Sequence, residues 1–179
     1  MPSRADSSGA HATALTAMLL AVATILGYVE AVLMPSLVVP GLKLGLANVA
    51  VVVALATLGP WRAAFVSLGR VLLVGLATGT LGGPATTLAL VGAVTAWAVM
   101  AVMAREKATF SVIGWSLGGA CAHAVGQLFA AVLVTGSAAP IMLMPWALSL
   151  SLATGALVGL LAYLLISRVP ALEPVYAGG

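Results

Sequence analysis

Val39-Pro40-Gly41-Leu42-Lys43-Leu44-Gly45-Leu46-Ala47-Asn48 reads as a turn that feeds a membrane helix. Pro40 cannot continue a preceding helix, while Gly41 and Gly45 carry no side chain and let another backbone or a ligand come close. Lys43 then falls in the first turn of the new helix. Unpaired N–H groups give that end a partial positive charge, so a cation there is disfavoured by roughly 0.3 to 1 kcal/mol. A negative group is therefore expected to approach Lys43. Asn48 follows one turn deeper.

The rest of the chain makes the membrane reading necessary. Of 179 residues, 63% are hydrophobic and 6% charged, against about 25% charge in a soluble globular domain. At about 20 apolar residues per crossing, the length suits a single all-helical bundle of six transmembrane helices. The net charge of +3 comes from seven basic residues scattered along the chain, which form no nucleic-acid patch and report topology instead. Cys121 is the single cysteine, so no disulfide can form within the chain.

Taken in order, residues 1–11 are small and polar and read as a loose tail, and residues 12–34 form helix 1, ended by Pro35. That apolar run exceeds a secretory h-region and contains Glu30, so it is expected to be retained. Helix 2 is placed at about 41–58. Gly59-Pro60-Trp61-Arg62 turns into helix 3, which holds Arg70 near its middle and loosens from Gly75 onward. Helix 4 follows Pro84 and runs to about 104, helix 5 covers about 109–134, and helix 6 about 141–167. One transmembrane domain over 12–168 with a second tail at 169–179 results. Six crossings put Arg4, Arg62, Arg105, Lys107 and Arg168 on one side, which the positive-inside rule makes the cytoplasm, with both termini there.

Lys43 and Arg70 break that charge pattern and are the first functional candidates. At 1.5 Å per residue, Glu30, Asn48, Arg70, His123 and Gln127 share the middle and outer layers. His123 and Gln127 lie four apart on helix 5 and share a face with Ser116 and Gly119. Ionisable groups inside a span cost about 2.5 to 3.5 kcal/mol each, so they persist where they pair or line a wet cavity. Glu30 and Arg70 are the expected pair, in a chamber between helices 1, 2, 3 and 5 that opens outward. The plainer alternatives stay open: Glu30 and Lys43 as snorkelling interface residues, Arg70 in a structural salt bridge, and His123, Gln127 and Asn48 as interhelical hydrogen-bond partners.

Catalysis and cofactors find little footing. Of the four carboxylates, Asp6, Glu106 and Glu173 fall outside the bundle, leaving no acid pair to share a reaction centre or hold Mg2+ with a diphosphate. Cys121 and His123 fall on nearly opposite helix faces, so no metal site is expected. Gly41-Leu42-Lys43-Leu44-Gly45 lacks the spacing of a phosphate-cradling loop, so any ATP would be used by another protein. The pair Ala17-x-x-x-Ala21 offers small residues for close docking of a partner helix.

The residues Pro40 to Asn48, with Tyr28-Val29-Glu30, Arg70-Val71-Leu72-Leu73 and Gly119-Ala120-Cys121-Ala122-His123-Ala124-Val125-Gly126-Gln127, resemble a bacterial membrane family. It is the Gx transporter family, also labelled heptaprenyl diphosphate synthase component I and similar to the S components of energy-coupling factor transporters. The resemblance covers nearly all six spans. It implies a six-helix S-component-like subunit of the bacterial plasma membrane, without cofactor, that captures a small, partly anionic solute from outside. Its implied partners are a transmembrane coupling subunit, met through Ala17 and Ala21, and two ATPases. Glu30, Lys43, Asn48, Arg70, His123 and Gln127 would line its site. The label also implies a rival role as accessory to a soluble prenyl diphosphate synthase, and a third reading is a structural membrane subunit.

Overall fold

The computed structural model describes residues 4–33, 45–106, 109–169 and 172. Pro35, residues 40–44 with Lys43 among them, Lys107 and Pro170 lie outside the described residues. All the regular structure among the described residues is helical: α1 (Arg4–Leu33), α2 (Ala47–Leu58), α3 (Pro60–Ala77), α4 (Pro84–Met103), α5 (Val112–Thr135), a short 3-10 turn (Ala139–Leu143) and α6 (Met144–Arg168). Five of these helices are long and apolar enough to cross a membrane. The chain is thus a membrane-embedded helical protein.

α2 is the exception in length and the centre of the packing. Its 12 residues give roughly 18 Å, well short of an apolar layer of about 30 Å. Val51, Val52, Val53 and Ala54 are almost wholly covered, because α1, α3, α5 and α6 all pack on it. The sequence Val49 to Leu55 is apolar all round, and a helix of that kind is stable only where neighbours cover every face. α1 also packs on α3, α3 on α4, α4 on α5 and α5 on α6, a succession of neighbours with α2 against four of the five.

Glycine sets the spacing within α4, α5 and α6. A Cβ on Gly155 of α6 would lie 2.9 Å from Ala120 and 3.2 Å from the Leu117 backbone of α5, and one on Gly159 would lie 2.8 Å from the Ile113 Cα. The same approach lets Ser116 Oγ donate to the Gly155 carbonyl at 2.8 Å, one of the interhelical bonds that hold membrane bundles together. Across the other face of α5, Thr95 Oγ1 donates to the Ala122 carbonyl at 3.0 Å, and Met100 packs over Gly119. At one end of the bundle, Trp97 Nε1 donates to the Pro60 carbonyl at 2.8 Å, and the Trp97 ring stands 5.9 Å from that of Trp61. Arg62, Arg105 and Arg168 belong to that end; the α3–α4 and α5–α6 connections lie at the other.

Several boundaries differ from expectation for local reasons. α1 begins at Arg4, so most of the stretch read as a loose tail is helical; 4–12 holds no proline, and an apolar helix already formed downstream is extended cheaply. α3 runs on to Ala77 past Gly75, whose carbonyl then accepts from both Thr80 and Leu81 as the chain turns. Gly79 and Gly82 take positive φ in that turn, which Leu81 beside them would resist. α5 starts at Val112 because Ser111 caps it, its hydroxyl accepting from the Gly114 N–H at 3.2 Å. The helix 6 region opens with a 3-10 turn before α6, with Pro140 and Pro145 each near a helix start.

Candidate functional site

A cavity of about 170 Å³ lies between the helices, toward the end opposite Arg62, Arg105 and Arg168. Glu30 of α1, Gly45 and Asn48 at the start of α2, Arg70 of α3, and His123 and Gln127 of α5 all line it. Five of the six polar residues singled out in the sequence therefore converge; the sixth, Lys43, lies outside the described residues.

Glu30 reaches the cavity from the last turns of α1. It is 5% exposed, and its Oε1 accepts from the Leu46 N–H at 2.6 Å. The carboxylate thus turns into the bundle and away from the headgroups. It also sits at the beginning of α2, where a negative charge offsets the unpaired N–H groups of the first turn. The negative group expected to approach Lys43 is a separate matter, since Lys43 lies outside the described residues. Glu30→Ala removes the acceptor of a buried N–H; the expected cost is about 2 kcal/mol, read as a fall of roughly 4 to 8 °C in the thermal unfolding midpoint in detergent.

Arg70 is held from two helices. Its Nη2 donates to Asn48 Oδ1 at 2.6 Å, so α3 is tied to the first turns of α2, and Glu30 attracts it as the nearby opposite charge. Gly27 makes room for this arrangement: a Cβ there would stand 3.9 Å from Arg70 Nη1 and 3.2 Å from Val74. Among the described residues, Arg70 Nε is buried without a hydrogen-bond partner.

His123 and Gln127 stand side by side on α5 because they lie one turn apart, and both rest on Gly92 of α4. A Cβ on Gly92 would come within 2.8 Å of Gln127 and 2.9 Å of His123. Ser116 and Gly119, read in the sequence as part of the same stripe, are used below the cavity for packing on α6 and α4. They line a smaller void of about 20 Å³ that shares Gly45, Asn48, Ala120 and Thr154 with the main one.

The chamber was expected among helices 1, 2, 3 and 5, and the structure adds α6. Trp146, Ala147, Leu150, Ser151 and Thr154 form one wall, and Leu143 and the 61% exposed Trp146 stand beside it. The sequence signal was present: positions 147, 150, 151 and 154 follow helical spacing on a single face. Ala17 and Ala21, the expected docking pair, lie on an exposed face of α1. Together, a guanidinium, a carboxylate, an imidazole and two amides in one cavity can hold and orient a polar solute.

The family model described as heptaprenyl diphosphate synthase component I matches residues 19–165. That span runs from the middle of α1 to the last turn of α6, and the chain belongs to that family. No curated protein and no solved structure gives a significant match.

Proposed function

We propose that this member of the heptaprenyl diphosphate synthase component I family is a solute-capturing subunit of the bacterial plasma membrane, S-component-like in fold and working with other proteins for energy. The observation that carries the reading is the polar cavity of about 170 Å³. A cavity of about 150 Å³ accepts a guest the size of benzene, so the site suits one small molecule and is far too small for a chain of seven isoprene units. Glu30 and Arg70 give its described walls no net charge, so a diphosphate would bring several negative charges with one guanidinium to meet them. Glu30, Asn48, Arg70, His123 and Gln127 are the binding residues in this reading. Lys43 joins them on chemistry, since it precedes Gly45 of the cavity wall by two residues.

In this reading the short α2 counts as a crossing beside the five long helices, both termini are cytoplasmic, and the cavity opens outward, away from Arg62, Arg105 and Arg168. The exposed Ala17 and Ala21 then serve as the contact for a coupling subunit, through which two ATPases act. The second reading, an accessory role beside a soluble prenyl diphosphate synthase, is favoured by the family description.

Purification of the tagged full-length chain from its native membrane in mild detergent separates the two. The transport reading expects a membrane coupling subunit and ATPases to co-purify, with a small polar solute found by mass spectrometry. Co-purification of a soluble prenyl synthase, whose product formation requires this chain, overturns it.

A further inference from the structure

The walls of the cavity differ in which hydrogen-bonding groups they leave for a guest. On α3, Arg70 can only donate, and its Nε has no partner among the described residues. On α6 the position is reversed. The Ser151 hydroxyl donates to the Ala147 carbonyl at 2.7 Å, and the Thr154 hydroxyl donates to the Leu150 carbonyl at 3.1 Å. A hydroxyl has one proton, so with that proton committed to its own helix each oxygen offers the cavity lone pairs alone. Gln127, which makes no hydrogen bond among the described residues, presents both a carbonyl and an amide.

Charge and size narrow the guest further. Glu30 is already engaged by the Leu46 N–H, so the guanidinium side of the cavity favours a guest with a single negative charge, and a membrane-embedded site disfavours any further one. The volume allows about one six-membered ring with small substituents. Apolar groups from Val71, Ala89, Ala124, Leu128 and Leu150 cover the remaining lining and suit the body of such a ring.

Building on the solute-capturing reading, we infer that the ligand is a compact amino-carboxylate of about one ring, its carboxylate held by Arg70 and its N–H group accepted by Ser151 and Thr154. The carboxylate meets a fixed cation that Asn48 already orients. The N–H end meets oxygens that have no proton left to give, and an all-acceptor molecule would face them without a bond.

Three ring compounds test this by equilibrium dialysis against the full-length chain in detergent: 4-aminobenzoate, benzoate and aniline. The expected order puts 4-aminobenzoate about fivefold tighter than benzoate and at least about tenfold tighter than aniline, as one neutral and one charge-assisted hydrogen bond would give. Thr154→Val, which keeps the shape and removes the acceptor, should erase part of the advantage over benzoate. Arg70→Gln should erase the advantage over aniline. Equal binding of benzoate and 4-aminobenzoate by the unaltered chain overturns the inference and leaves the small-solute site standing. Binding of none of the three overturns the inference and the capture reading together.

Discussion

Arg70→Met lowers solute capture by about two orders of magnitude while the helical bundle still forms. The guanidinium contributes the one fixed cation among the described cavity walls, and truncating one partner of a buried, hydrogen-bonded charge pair costs about 2 to 5 kcal/mol in binding. Part of the loss falls on the protein itself, because Asn48 Oδ1 loses its donor and Glu30 its neighbouring cation. Arg70→Lys separates the two effects. Lysine keeps the charge and lacks the planar fork, so the bundle should hold while capture falls about tenfold. Far-ultraviolet circular dichroism and gel filtration report the fold, and mass spectrometry of the retained solute reports capture. Full retention of solute by a folded Arg70→Met chain would make Arg70 a structural tie between α2 and α3 and nothing more.

The second large effect concerns packing. Gly159→Leu should lower stability by about 3 kcal/mol or more, because a side chain at that position meets the Ile113 backbone, which cannot swing aside. The contrast is Gly9→Leu on α1, where a Cβ meets nothing within 4 Å and the replacement favours helix. Thermal unfolding in detergent should show a fall of roughly 6 to 12 °C for the first and little change or a small rise for the second. Similar midpoints for the two variants would mean that α5 and α6 are not held at the observed distance.

These expectations also show which features a single sequence displays. A charge or an amide stands out when everything around it is apolar, which is why Glu30, Asn48, Arg70, His123 and Gln127 were found before any geometry was known. Burial inside a membrane makes each of them costly, so their convergence on one cavity is the cheapest arrangement. Ser151 and Thr154 escape notice for the opposite reason. A hydroxyl bonded to its own helix costs little in lipid, so its presence says nothing about a cavity until the neighbouring wall is known. Trp146 is equally silent, since a tryptophan near a helix start suits a membrane interface as well as a cavity wall.

The pairing of Arg70 was harder still. Glu30, Asn48 and Arg70 belong to three helices, and which acceptor receives Nη2 depends on how far α1 and α2 slide along α3. Glycines carry the same ambiguity. Gly92, Gly155 and Gly159 look alike in the sequence, yet one seats two cavity residues and the others bring two backbones together.

The short, enclosed α2 bears on how the molecule is made. Ribosomes deliver the second helix early, whereas one of its covering faces comes from α6, the last of the described helices to be synthesised. Until that late segment arrives, this 12-residue helix has part of its surface facing lipid or translocation machinery in place of its native neighbour. Completion of the interior thus waits on the last of the described helices. Chains truncated before residue 144 should remain targets for membrane quality control, however well their first five helices have inserted.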